Sequence, residues 1–161
     1  MAIWQRTIVL IPAQWVEDKN YSVEALYNAD GYFDTACVWK QHQPNVQIDK
    51  LLDNVLVRTE SNTSDIKMWG NSSSNEITIS VNDESIDEIV IRVDLKKDIS
   101  NFCFSICQLA KKLQCFLFIP NKKLLIEPDI HLLMALLIKC SSLINSLNLL
   151  IFRQTKGVDL I

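Results

Sequence analysis

The stretch IKMWGNSSSNEITISVNDESIDEIVIRVDL, residues 66–95, decides the fold. Ile77, Ile79 and Val81 alternate with Glu76, Thr78 and Ser80. Ile89, Ile91, Val93 and Leu95 alternate with Val90, Arg92 and Asp94. A period of two places one set of side chains on a core face, as in a half-buried strand. Ile66 and Met68 start a similar run that ends at Trp69-Gly70, with Trp69 read as a core residue. The breaks fall at Asn71–Asn75 and at Asn82-Asp83-Glu84-Ser85, both rich in turn formers. Connections this short join neighbouring strands antiparallel. The stretch therefore predicts a three-strand antiparallel meander.

Outward from the meander the period changes. Phe102, Cys103, Ile106, Leu109, Ala110 and Leu113 recur at helical spacing. Ser100 is placed to cap that helix. Cys115–Ile119 reads as a short buried strand, Pro120-Asn121 as a turn and Leu124–Ile126 as a returning strand. Ile130, Leu133, Met134, Leu137 and Ile144 form the buried stripe of a last helix over 129–145 that starts after Pro128. Upstream, Thr7–Ile11 is a continuous β-branched run closed by Pro12, which fits a buried strand. Val46–Val57 predicts a short amphipathic helix, and Thr59–Ser64 a polar loop. Residues 13–46 give no clear period beyond a turn at Asn28–Gly31. The reading is a single domain over 1–161. Its fold class is α+β, a mainly antiparallel sheet with its central meander at 66–95 and helices packed on one face. The connection from residue 91 through the helix to residue 117 is a candidate parallel crossover.

Composition narrows function by exclusion. Apolar residues make up 48% of the 161 and charged residues 22%, which is globular rather than disordered. The net charge of −3 gives no support to bulk nucleic-acid binding. Residues 1–95 carry 15 acids and 7 bases, whereas 96–161 carry 4 acids and 9 bases. An acidic face able to steer a charged partner follows if these halves map onto faces. The first residues lack a signal-peptide layout. The apolar stretch Ile130–Phe152 is interrupted by His131, Lys139, Asn145 and Asn148, so no membrane span is expected. Five cysteines, Cys37, Cys103, Cys107, Cys115 and Cys140, are an odd number set largely in apolar stretches. Free reduced thiols and a cytoplasmic location are expected.

The chemistry-bearing residues are sparse. Gly31, Gly70 and Gly157 are isolated, so no phosphate cradle and no cofactor is expected. Cys103 and Cys107 share a helix face but lack the further ligands a zinc site needs, so no metal is expected. Asp49/Asp53, Asp83/Glu84 and Asp87/Glu88 read as solvated carboxylates, and Arg92 with Asp94 as a structural pair, or a contact surface, on one strand face. The basic doublets Lys96-Lys97, Lys111-Lys112 and Lys122-Lys123 lack interleaved aromatics and read as a solvated rim. Cys37 with His42 is the one nucleophile–base arrangement that proximity in sequence offers. Trp15 and Trp39 lie in the segment without a clear period and are candidate binding anchors.

Trp39, Gln43-Pro44, Leu51–Leu56, Met68-Trp69-Gly70, Ile86–Leu95, Ala110–Phe118 and Ile126-Glu127-Pro128 together carry a resemblance over residues 39–145. The chain resembles small bacterial α+β proteins that are in turn similar to immunity proteins of polymorphic toxin systems. The chain departs from that pattern at Leu147–Phe152 and in its polar tail. The resemblance implies a non-enzymatic protein that neutralises a cognate toxin domain by direct binding and occlusion. A nuclease-like toxin would present a basic surface, and acidic side chains would meet it. The candidate partner-binding residues are Asp30, Asp34, Trp39, Asp83, Glu84, Asp87 and Glu88. The expected partner is that toxin domain, with no nucleic acid and no membrane, and the chain itself a monomer or homodimer. Two alternatives stand beside it: a homo-oligomeric structural or scaffold protein, and a small cysteine hydrolase using Cys37 and His42.

Overall fold

The computed structural model describes residues 4–138. These form an α+β fold around one antiparallel sheet of seven strands in the order β2-β3-β4-β5-β1-β6-β7. The strands are β1 (Gln5–Pro12), β2 (Arg58–Thr59), β3 (Ile66–Gly70), β4 (Glu76–Asn82), β5 (Ser85–Asp94), β6 (Cys115–Ile119) and β7 (Leu124–Ile126). The helices are α1 (Ala13–Asp18), α2 (Ala36–Trp39), α3 (Ile48–Asp53), α4 (Ser100–Lys112) and α5 (Ile130–Ile138). The predicted meander is β3–β4–β5, and its last strand is the middle strand of the sheet. The polar loop expected over Thr59–Ser64 contributes its first residue to β2, which pairs with Met68 and Trp69. Cys140, Ile144, the rest of the stretch read as the last helix, and the Leu147–Phe152 departure lie outside the described residues.

The apolar run in β1 explains its position. Ile8 stands opposite Ile91 and Leu10 opposite Leu117, so these share one face. Val9 stands opposite both Val90 and Phe118, and Ile11 opposite Phe116, on the other. All four β1 residues are buried, which requires cover on both sides. β5 and β6 are each antiparallel to β1 and hence parallel to one another. The connection through α4 is thus the parallel crossover, with β1 lying between the two strands it joins.

α3, α4 and α5 cover the Ile8 face. Trp69, which shares that face through Ile77 and Ile91, donates its indole N–H to Asp53 Oδ1 of α3 at 2.8 Å. α3 and α4 flank one groove between Leu51, Val55 and Phe104, and α5 packs on α4. Ser100 does not cap α4 with its side chain. Asp98 instead accepts both the Ser100 N–H (2.9 Å) and hydroxyl (2.7 Å) just ahead of the helix. Asp129 accepts the Leu132 N–H at 2.8 Å and ties down the first turn of α5.

The opposite face is covered from the 13–46 segment, the one without a clear period. Phe33 stacks on Phe118 at 5.3 Å between centroids. Tyr27 meets both rings edge-on, and Tyr21 meets Phe116 at 5.9 Å. α2 lies against β5 and β1. The tryptophans of this segment are core: Trp15 is 6% exposed and Trp39 1%. Neither is the exposed anchor that their unassigned segment suggested, because α1 and α2 turn these rings toward the sheet.

Gly70 closes β3 at φ +84, where a Cβ would collide with the Asn75 carbonyl oxygen and with Leu56. Asn75 in turn accepts the Asp94 N–H through Oδ1 at 2.8 Å, linking the β3–β4 turn to the end of β5. The buried position of Ile91 and Leu133 on the two layers gives a direct test. Ile91→Ala and Leu133→Ala are each expected to lose about 2–5 kcal/mol of stability through lost transfer energy and the cavity left behind. Chemical denaturation that returns under about 1 kcal/mol for both would contradict this core.

Candidate functional site

One end of the sheet collects the loops. β1 leaves the sheet at Pro12 opposite Cys115, where β6 enters. The β4–β5 turn, with Asn82 paired to Ser85, lies at the same end because β5 runs antiparallel to β1. Asp83 and Glu84 form the tip, and both have positive φ, 47° and 65°. Two consecutive left-handed residues define the tight hairpin turn that favours Asn-Gly or Asp-Gly. Here the second position is a glutamate, strained where glycine would not be. Three residues later the register slips, Ser80 facing Glu88 and Val81 facing Ile86. Asp87 is the extra residue of that β-bulge, which re-aims the flanking side chains. It also puts Ile86 and Ile89 into the core despite their spacing of three.

The acidic candidates therefore divide. Asp83 and Glu84 are exposed at the tip, with Asp87 half-buried beside them. Asp34 and Glu88 meet at the start of α2, where Thr35 donates its hydroxyl to Glu88 Oε1 at 3.2 Å. Burial raises the Glu88 pKa; the Thr35 hydrogen bond lowers it, and the nearby Asp34 charge adds to the rise. Asp30 stands apart on the turn whose Asn28 Oδ1 accepts the Asp30 and Tyr32 N–H groups. Trp39 belongs to the core and not to this surface.

The paired reading of Arg92 and Asp94 is corrected. Arg92 bonds Glu76 Oε1 at 3.2 Å from the neighbouring strand, while Asp94 accepts the Lys96 N–H at 3.0 Å. Glu76 alternates as though solvent-facing, yet it is only 3% exposed. Cys103, Cys107 and Cys115 are free and buried. Burial pushes their thiols up to about 12, about 11 and about 12 respectively. Cys37 is exposed on α2. His42 Nε2 lies 4.0 Å from Asp18 Oδ2, and among the described residues no hydrogen bond joins it to Cys37.

The residue that sequence reasoning missed is Gln43. Its side chain donates to the Trp39 carbonyl (2.7 Å) and the Ile86 carbonyl (2.8 Å) and accepts the Ile86 N–H (2.7 Å). One amide thus stands in for a strand neighbour at the start of β5 and pins residues 42–46 across the end of the sheet. The only hint in the sequence is Pro44, which restricts Gln43 to extended backbone. A cleft of about 510 Å³ lies on one side of this segment, between Gln14 and Glu17 of α1, His42, and Lys112 and Gln114. A smaller one, about 150 Å³, lies on the other side, reaching Asp49, Lys67, Val81 and Glu84. Asp49 is neutralised there by Arg58 and Lys67, each at 3.1 Å.

No family model, curated protein or solved structure matches the chain. Among the described residues no three His, Cys, Asp or Glu side chains are grouped to hold a metal ion. Among them, too, no helix is long and apolar enough to cross a membrane.

Two outcomes test this geometry. Glu84→Gly is expected to raise stability by about 0.5–1 kcal/mol, since relief of left-handed strain exceeds the extra backbone entropy of glycine. A loss of stability in urea titration would contradict the turn. For Glu88, a folded pKa above the unfolded one means a stabilising term fully present below the unfolded pKa and lost as pH rises through the folded one. Glu88→Gln retains an acceptor for Thr35 and is expected to raise the melting temperature at pH 7.5 while leaving it nearly unchanged at pH 4. Equal shifts at both pH values would show that the ionised carboxylate carries no such penalty.

Proposed function

We propose that the chain is an immunity protein, a binder that occludes a cognate toxin domain with a basic, nuclease-like surface and performs no chemistry itself. The observation that carries this reading is the β4–β5 tip. Two exposed carboxylates, Asp83 and Glu84, occupy successive left-handed positions, with Asp87 on a bulge three residues on. Backbone strain retained at an exposed tip is a pointer to function. Here it holds negative charge clear of the sheet, which suits a catalytic surface shaped for phosphate. Charges of this kind act mainly on the rate of encounter, through steering.

The test is association with the toxin domain encoded by the adjacent reading frame. Asp83→Lys combined with Asp87→Lys is expected to slow association about tenfold at low salt and to flatten its salt dependence. Circular dichroism serves as the folding control. A wild-type protein that fails to bind at micromolar concentration removes the immunity reading. Binding by a double variant with unchanged association leaves the reading but removes the acidic tip from its mechanism.

A further inference from the structure

The segment pinned by Gln43 has properties the tip lacks. Three side-chain hydrogen bonds to main chain tie Gln43 to Trp39 and to Ile86 at the start of β5, and anchor the segment at that point. Pro44 and Val46 line both clefts, so the segment is a ridge between them. Val46 is 45% exposed. A free carboxylate stands beyond each side of the ridge. Glu17 lines the larger cleft and Glu84 the smaller, and neither has an ion-pair partner within 4.0 Å among the described residues. Asp49, the other carboxylate of the smaller cleft, is already neutralised by its two cations. Among the described residues that line the larger cleft, Lys112 is the one lysine.

We propose that this ridge and its two clefts are the docking face for the protein partner, and that the partner inserts a segment with an apolar side chain flanked by basic ones. The apolar group packs on Pro44 and Val46, and the basic groups reach Glu17 and Glu84. The inference rests on the reading of the chain as a binder of a basic protein. A ridge anchored at Gln43 loses little conformational entropy on binding, so more of the contact energy appears as affinity. An apolar projection with a recess on either side excludes water around a central anchor, which is where binding energy concentrates. The unpaired carboxylates on both flanks make the face complementary to basic residues on both sides of one apolar residue. Glu84 also makes this face continuous with the acidic tip, so steering and anchoring would occur on one surface.

The test uses the full chain and the toxin domain from the adjacent reading frame, with binding kinetics at two salt concentrations and circular dichroism as the control for folding. Val46→Asp is expected to raise Kd by about tenfold or more, through the off-rate. Glu17→Lys is expected to slow association several-fold, and Lys112→Glu, which removes the opposing charge, to speed it. Tyr32→Asp is the control. It changes an exposed aromatic in the loop beside Tyr27 and Lys123, at the other end of the sheet, and is expected to leave Kd within about twofold. Wild-type binding with Val46→Asp and Glu17→Lys both within about twofold would overturn the docking face and leave the immunity reading standing. Should Val46→Asp fail to fold, an unchanged on-rate for Lys112→Glu would overturn it instead. Absence of wild-type binding at micromolar concentration removes both.

Discussion

The arrangement depends on β1 lying between β5 and β6. A strand of four consecutive apolar residues has no solvent face to offer. Once it is hydrogen-bonded on both edges, each face of the sheet must be covered by something else. On one side α3, α4 and α5 supply that cover. On the other, among the described residues, the 13–46 segment meets the demand, with aromatic rings instead of a long helix. Phe33 and Tyr27 over Phe118, and Tyr21 over Phe116, conceal large apolar areas with little regular backbone. The segment then has to pass from this face to the other to begin α3. That passage crosses the end of the sheet and creates both the ridge and its clefts.

Legibility followed the physics of periodicity. β4, the central part of β5 and α4 each bury one face only, so their sequences alternate or recur with the period of the element. β1 was legible for the opposite reason, because burial on both sides leaves no polar position. Residues 13–46 escaped because aromatic clusters obey no period, and short helices of four to six residues are too brief to establish one. The bulge at Asp87 breaks the two-residue repeat at the start of β5, so which residues face inward there could not be read from alternation. Glu76 and Arg92 looked solvent-facing by alternation alone. Covering that face buries Glu76 and leaves its Oε2 without a hydrogen-bond donor among the described residues. As for the candidate site, the acidic tip was visible as a turn rich in carboxylates. Gln43 was not, since a glutamine that bonds main chain has the same letter as one that bonds water.

The end of the sheet joins two kinds of local order. At the tip, Asp83 and Glu84 hold a costly backbone shape with exposed charge. On the ridge, Gln43 holds a loop in place with bonds that are local in space and distant in sequence, joining positions 43 and 86. The charged part tolerates substitution without loss of the fold, whereas the clamp couples the loop to the core of β5. Exposed charge and structural clamping thus fall to different residues at one end of the sheet.

The place of β1 also has a consequence for biosynthesis. Its partners are residues 90–94 and 115–118, so this strand is made before either of them and must wait for both. At typical elongation rates that wait is roughly 5–20 s. Meanwhile β4 and β5 can pair as a local hairpin, and closure of the sheet follows only when α4 and β6 have been made. Pairing across such sequence distances is slow by nature and leaves an unpaired apolar segment open to chaperones and to self-association. Yield of native protein would then depend on the tempo of translation up to residue 119 as much as on the stability of the finished fold.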